Sequence, residues 1–354
     1  MVKVMGNTTK LRFGIVGCGQ IAQESHIPPL RRHKNVSLVA VCDKNENLVR
    51  QVAASFKIPG CYVDLGEMLK TEKLDVVSIC VPPWMHAAAS IQAMEAGCHI
   101  LIEKPMALTA GECDLMLNTS QKNGVRLGVV HNRLFEPVVM KARSIVSSGG
   151  IGTVTGMHIE YSRQKDDYRI IDGTHWCHKM PGGVYSEELP HIIYLAREFL
   201  GSVELVALCA NKTKDSHSWI VADEIGMILK GKKGVATVSS SCNRPKPEGV
   251  LTIFGTKAHL QVDIYNSILI KQTGGTSRPS RAIDNINQSL QRLTNIGFVA
   301  FKVTLGRHYT GHYTLISKFV DCILNNSDLP VSAQDGKEVI SVFEQIVKQI
   351  GCKL

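Results

Sequence analysis

Apolar residues in the first third of the chain recur in two alternating rhythms. Short, nearly continuous β-branched runs at 11–16, 36–42, 75–80, 98–103 and 125–130 are separated by segments whose apolar positions follow a helical period. Such alternation predicts βαβ units around a parallel sheet buried on both faces. The intervening helices carry recognisable ends. Asp64 can cap a helix over 65–70, Gly97 follows one that begins near His86, Thr109-Ala110-Gly111-Glu112 reads as a capping box, and Gly124 closes the helix after it. Beyond Asn132 the rhythm changes. Strand-like runs at 153–161, 203–210, 225–229, 234–241, 250–254 and 259–262 follow one another with turns between them, and Gly231-Lys232-Lys233-Gly234 reads as a hairpin turn. Helical spacing marks 137–147, 190–199, 283–296, 313–324 and a last segment near 336–350. The expectation is an α/β chain: a doubly wound parallel sheet in residues 1–130, then an α/β domain with an open, mainly antiparallel sheet over 131–354. The two meet around His131–Glu136, and residues 1–9 read as a frayed leader.

With 354 residues, 44% of them apolar and 20% charged, the chain has material for two packed cores. The net charge of +9 is spread over many elements instead of a tail. It suits anionic ligands such as dinucleotides, phosphates or sugar acids, and gives no footprint for nucleic acid. The 11 cysteines are scattered, odd in number and without a C-x-x-C pair, as expected of reduced thiols in a cytoplasmic protein. The first apolar run breaks at once into Gly-Cys-Gly, unlike a signal peptide, and no stretch has the length of a membrane span. A soluble protein without a membrane partner is expected.

The first chemical motif is Gly17-Cys18-Gly19-Gln20-Ile21-Ala22, directly after a predicted strand and before a helix. The glycines allow a tight turn and close backbone approach, while the helix start offers unpaired N–H groups to a pyrophosphate; this is the Rossmann dinucleotide fingerprint. Asp43, at the end of the second strand, can accept both ribose hydroxyls and repel a 2′-phosphate, which favours NAD. Lys44 beside it leaves NADP open, and Asp43 taken alone would also serve as a helix cap.

Further segments resemble the glucose–fructose oxidoreductase, inositol dehydrogenase and MocA family of NAD(P)-dependent dehydrogenases. They are Gly17–Ala22 with His26 and Pro29, Val81-Pro82-Pro83-Trp84-Met85-His86, 96–105 ending in Glu103-Lys104-Pro105, 131–137, and Gly182-Gly183 leading to His191. The resemblance runs from about Leu11 to the C-terminus. It implies nicotinamide and ribose contacts at Val81, Pro82, Trp84 and His86, with Glu103, Lys104 and Asn132 completing the cofactor site. Trp84 equally suits ordinary packing. The resemblance also implies a homodimer or homotetramer assembled through the outer face of the C-terminal sheet. Lys104 sits just past a predicted strand's carboxyl end, where open α/β sheets place ligands, and its ammonium can stabilise a developing alkoxide.

Gly182-Gly183-Val184-Tyr185-Ser186-Glu187-Glu188-Leu189-Pro190-His191 is similar to the family's carboxylate-and-histidine segment. A spacing of four would put Glu187 and His191 on one helical face. Histidine titrates near neutrality, so His191 is the expected general base, Lys104 a polarising or proton-relaying partner, and Glu187 the orienting carboxylate. Glutamate stands where relatives have aspartate, Tyr194 where many have a second aspartate, and Pro190 favours a helix beginning near Leu189. Trp176 is implied near the substrate, with Arg163 and Tyr185 as further contacts. No metal is expected. His175-Trp176-Cys177-His178 lacks a second ligand pair, and zinc on His175, Glu187 and His191 is the metal alternative. Arg278, Arg281, Arg292, Lys302 and Arg307 read as a solvated helix face, or as an anion site if they converge. The function expected is hydride transfer between a secondary alcohol of a sugar, cyclitol or polyol and NAD(P). The competing readings are a non-catalytic dinucleotide sensor and an enzyme that recycles bound cofactor between two substrates.

Overall fold

Six parallel strands form the first sheet of the computed structural model, which describes residues 10–213, 217–274, 277–304 and 310–351, the side chains of 302 and 303 apart. They are β1 (Leu11–Val16), β2 (Val36–Cys42), β3 (Gly60–Tyr62), β4 (Val76–Ile79), β5 (His99–Ile102) and β6 (Leu127–Val129), in the order β3-β2-β1-β4-β5-β6. Phe13, Ile15, Val41, Val77, Ile79, Ile100 and Leu101 are fully buried, as unbroken apolar strands between two helical layers must be. β3 was not expected. It has no apolar run and takes its place through pairing with β2, Ala40 against Gly60 and Cys42 against Tyr62.

Helices α1 (Ile27–Arg32), α2 (Glu46–Phe56), α3 (Leu65–Thr71), α4 (His86–Glu95) and α5 (Ala110–Lys122) connect these strands. Asp64 caps α3 by accepting Glu67 N–H, and the Thr109/Glu112 capping box starts α5. The helical run after β1 is not uniform. A π-helical turn, Ala22–His26, precedes α1, because Pro28 and Pro29 offer no N–H to the carbonyls one turn back. The turn leaves His26 fully buried beneath the sheet's carboxyl end.

The second sheet has seven strands: β7 (Val154–Ser162), β8 (Val203–Asn211), β9 (Glu224–Gly231), β10 (Gly234–Ser241), β11 (Glu248–Gly255), β12 (His259–Asp263) and β13 (Ile268–Gln272). Their order is β13-β12-β11-β7-β10-β9-β8, antiparallel throughout except where β7 runs parallel to β10. Burial alternates along β9, β11 and β12, and the inward residues pack beneath α6 (Pro137–Ser147) and α8 (Leu189–Leu200). The short α7 (Tyr168–Ile171) precedes α8, and α9 (Arg278–Thr304), α10 (Gly311–Asn325) and α11 (Ala333–Ile350) follow the sheet. β13 was not expected from the sequence, and α9 is longer at both ends than its apolar spacing indicated.

One folding unit runs through Asn132 and takes in His312–Ile340; the other comprises Arg133–Gly311 and the residues from Ser341 on. Residues 312–340 fold with the first unit and not with the rest of 131–354. The exposed flank of β6 explains this: Phe319 packs over Gly128 so closely that a Cβ there would lie 2.8 Å from its ring, and Val129 N–H donates to Val331 O. The leader at 1–9 and Arg307 lie outside the described residues, as does the side chain of Lys302. Among the described residues, no helix is long and apolar enough to cross a membrane.

Candidate active site

The glycine turn follows β1 directly. Gly17 has φ +94°, and a Cβ there would lie 2.5 Å from the backbone C and O of Cys80, so the fold itself demands glycine. At Gly19 a Cβ would meet nothing within 4 Å, which leaves open space above the start of the helical run at Gln20. Gly17 N–H donates to Cys42 O and Cys18 N–H to Asp43, so an anion at this turn would meet the backbone from Gly19 onward. Gln20 turns its amide to Glu24, and Ile21 is half-buried. Cys18 is fully buried, its thiol pushed up to about 12 by burial and then by Asp43, so it stays neutral.

Asp43 holds this loop in shape. Its Oδ2 accepts Cys18 N–H at 2.8 Å and its Oδ1 accepts Asn45 N–H at 2.9 Å. Helix capping falls to Asn45, which accepts Leu48 N–H, so Asp43 is not the cap. Each carboxylate oxygen keeps a further acceptor site, which suits a ribose diol. Lys44 beside it is exposed.

Past β4, Val81 and Pro82 lead into a 3₁₀ turn, Pro83–Met85, that presents Trp84 with 45% of its surface exposed, unlike a core aromatic. His86 is buried. Its Nδ1 lies 2.7 Å from Pro105 O and its Nε2 2.9 Å from Val81 O. The ring thus sits between the loop after β4 and the loop after β5 and, as a neutral imidazole, donates to one of the two carbonyls. Burial, ahead of any other influence, keeps its pKa below the ordinary value.

The loop after β5 holds a buried polar cluster. Glu103 Oε1 meets His26 Nε2 at 2.8 Å and His312 Nε2 at 3.3 Å, while Oε2 accepts Lys104 N–H at 3.1 Å. His26 Nδ1 lies 2.8 Å from Ser78 Oγ, and His312 Nδ1 lies 3.4 Å from Asn132 Nδ2. A continuous chain, Ser78–His26–Glu103–His312–Asn132, therefore runs beneath Lys104, whose bond to Pro105 is cis. Burial alone would raise the Glu103 pKa; the two histidines outweigh it and hold the carboxyl ionised, well below its ordinary range. Burial opposes a charged His26 as well, but the Cys80 sulfur and Glu103 raise its pKa to about 10. Among the described residues, these three side chains are also the trio whose potential metal-ligand atoms lie within 4.8 Å of one another. The zinc alternative of His175, Glu187 and His191 forms no such group. His312 and Ser78 were missed from sequence. His312 had no signal, since the chain crosses the whole second sheet before returning to Glu103.

In the second unit, Gly182 and Gly183 both take positive φ, +83° and +55°, and carry the chain through a 3₁₀ turn, Gly183–Ser186, before α8 begins at Leu189. Glu188 is the N-cap and Pro190 sits in the first turn of α8, so Glu187 precedes the helix and shares no helical face with His191. The shared-face expectation fails for that reason. His191 is buried, stacks against Tyr161 with ring centroids 5.7 Å apart, and places Nδ1 2.5 Å from Tyr194 OH. Tyr194 OH also accepts Arg133 N–H at 3.1 Å. The glutamate's carboxylate lies 3.9 Å from Arg169 NH1.

The three expected substrate contacts differ in placement. Arg163 is buried and ion-paired with Asp167, at 3.1 Å, and with Glu188, which keep it charged against the cost of burial. Tyr185 is 3% exposed, and burial drives its pKa well up. Both serve the interior of this unit. Trp176 is half-buried on a 3₁₀ turn against His175. Arg278 and Arg281 are exposed near the start of α9 and Arg292 further along it, on a solvated face.

Comparison with known proteins agrees with this geometry. Residues 11–131 match the model of an oxidoreductase family with an NAD-binding Rossmann fold, and 139–261 match the GFO/IDH/MocA C-terminal domain. The chain is 22% identical to D-apiose dehydrogenase of Paraburkholderia graminis over 95% of its own length and 87% of that protein's. It is 32% identical to D-glucoside 3-dehydrogenase of Escherichia coli over 42% of each. Its fold matches the WlbA dehydrogenase of Bordetella pertussis, crystallised with NADH and UDP-GlcNAcA, with a TM-score of 0.78 at 19% identity over 97% of both chains. With both halves matched in order, the chain belongs to the GFO/IDH/MocA family of NAD(P)-dependent oxidoreductases.

Proposed function

We propose that the protein moves a hydride between a secondary alcohol of a sugar, cyclitol or related polyol and the nicotinamide ring, with NAD preferred over NADP. The observation that carries the reading is Glu103 clamped between two histidines while it holds the backbone of Lys104 at the carboxyl end of β5. A lysine anchored at this place in an open α/β sheet suits recognition of a substrate hydroxyl. The bound dinucleotide supplies or accepts the hydride. Gly17–Ile21 cradle its pyrophosphate, Asp43 takes the ribose hydroxyls, and Val81, Pro82 and Trp84 line its nicotinamide end. His86 and Asn132 support that end from beneath.

His191 takes the hydroxyl proton on Nε2, with Nδ1 oriented by Tyr194, the role assigned from sequence to Glu187. Lys104 stabilises the oxygen as negative charge develops on it. Glu187 contributes a carboxylate that Arg169 orients, and Trp176 offers an apolar face to the sugar ring. The names of the relatives, D-apiose and D-glucoside dehydrogenases, support a sugar or polyol substrate.

The test is to incubate the pure protein with NAD or NADP and a panel of sugars, sugar acids and cyclitols while following the absorbance of reduced nicotinamide. Turnover that disappears in Lys104→Ala and in His191→Ala, with dinucleotide affinity retained, is the expected result. Tight dinucleotide binding without turnover on any substrate overturns the reaction and leaves a sensor. Every described cysteine is a free thiol, which supports a reducing compartment, the cytoplasm. Val206, Ile228 and Val235 are exposed on strands β8, β9 and β10, which supports a homodimer or homotetramer through that sheet.

A further inference from the structure

Helix α9 is built the wrong way round for a helix covering its own domain. The side it turns to the sheet is mostly polar: Asp284, Gln288, Gln291, Asn295 and Val299 are its less exposed positions. Gln291 exchanges two hydrogen bonds with the backbone of Lys271, at 2.8 and 3.0 Å, and Asn295 donates to Leu269 O at 3.0 Å. Asp284 accepts Thr273 N–H. These side chains cover the edge of β13, whose backbone groups would otherwise lie open. The large apolar residues face outward. Ile283, Ile286, Leu290, Leu293, Ile296, Phe298 and Phe301 are each between 50% and 65% exposed.

Ile283, Ile286, Leu290, Leu293 and Gly297 follow steps of three, four, three and four residues, the a/d seam of a coiled coil. Such a seam fits another helix, since each residue inserts between four on the facing helix, and Gly297 permits close approach. The positions flanking it, Ala282, Asn287, Ser289, Thr294, Ile296 and Phe301, are all uncharged. Arg278, Arg281 and Arg292 lie at heptad positions away from the seam, so two such helices meet without like-charge contact despite the net charge of +9. Among the described residues, no other helix shows such a row: the four-residue α7 exposes Tyr168 and Ile171, and α5 and α10 one large apolar residue each, Leu115 and Leu324. The outward face amounts to roughly 600 Å² of apolar surface, most of the about 800 Å² per partner in a standard stable interface.

We propose that α9 is a self-association surface: it packs antiparallel, about a two-fold axis near Leu290 and Leu293, against α9 of a second copy of this chain. The pairing stands independently of the oxidoreductase reading and uses a different surface from the outer face of the sheet. Light scattering after gel filtration tests it. Leu290→Lys/Leu293→Lys is expected to halve the mass of the parent with far-UV circular dichroism and dinucleotide affinity unchanged, and to do so again in an Ile228→Lys background. A second variant, Ala282→Lys/Ser289→Lys, places like charges on the flanks without touching the seam. It is expected to raise the dissociation constant at least tenfold at low salt, with recovery at high salt. A parent and seam variant of equal mass, whether monomeric or held together elsewhere, or a flank variant that associates like the parent, overturns the proposal.

Discussion

Replacing Glu103 by glutamine keeps the shape of the side chain and removes its charge. The amide then faces three donors with one acceptor: whichever way it turns, either the His26 and His312 contacts or the Lys104 N–H loses its partner. Breaking a buried ion pair from one side costs about 3–5 kcal/mol. Against the cost of burial, the Cys80 sulfur and Glu103 together raise the His26 pKa from 6.5 to about 10, which stabilises the folded state. Because the folded pKa of His26 is raised, this stabilisation is complete below pH 6.5 and is lost as pH climbs towards 10. Glu103 is lowered instead, so its share is present above 4.5 and lost as pH falls below that. Urea unfolding of the first unit, repeated from pH 4 to pH 10, is therefore expected to show a wild-type decline above pH 6.5 that is smaller in Glu103→Gln, where only the Cys80 influence on His26 remains. The variant should sit about 3–5 kcal/mol lower near neutrality and lose about tenfold or more in kcat as Lys104 drifts. A variant within about 1 kcal/mol of wild type, with an overlaying pH profile, would refute the reasoning.

The two glycines of the turn should separate cleanly. Gly17→Ala drives a Cβ into the Cys80 backbone and should destabilise the fold, read as a lower thermal midpoint. Gly19→Ala meets only open space and should fold normally, yet lose at least about tenfold in dinucleotide affinity by titration calorimetry because the backbone can no longer approach the pyrophosphate. Asp43→Ser should shift the ratio of NAD to NADP affinity towards NADP by about tenfold or more, since it removes the charge that repels a 2′-phosphate; an unchanged ratio would show that Asp43 serves the loop alone. Tyr194→Phe leaves His191 Nδ1 and Arg133 N–H without the hydroxyl. It should cost about 1–3 kcal/mol in stability and displace the pH profile of kcat, with KM for the dinucleotide unaffected.

Local chemistry made much of this protein legible in one dimension. Apolar runs, capping residues and glycine stops set the parallel strands and their helices, because those preferences act over a few residues. The motifs at Gly17–Ala22 and Glu103-Lys104-Pro105 were readable for the same reason: a turn and a strand end are short-range structures. What the sequence could not express was pairing at a distance. β3 exists because β2 offers it an edge, α10 belongs to the first unit because β6 needed cover, and His312 reaches Glu103 only after the whole second sheet has been built. The orientation of His191 shows the same limit. Spacing pointed to Glu187, but α8 starts only at Leu189, two residues later, with Pro190 in its first turn, and Tyr194 places its hydroxyl on the imidazole. Secondary structure and the glycine turn after β1 follow from neighbours along the chain. The buried network that holds Lys104 is decided by which distant groups share a desolvated space, where each charge must find its partner or not be charged at all.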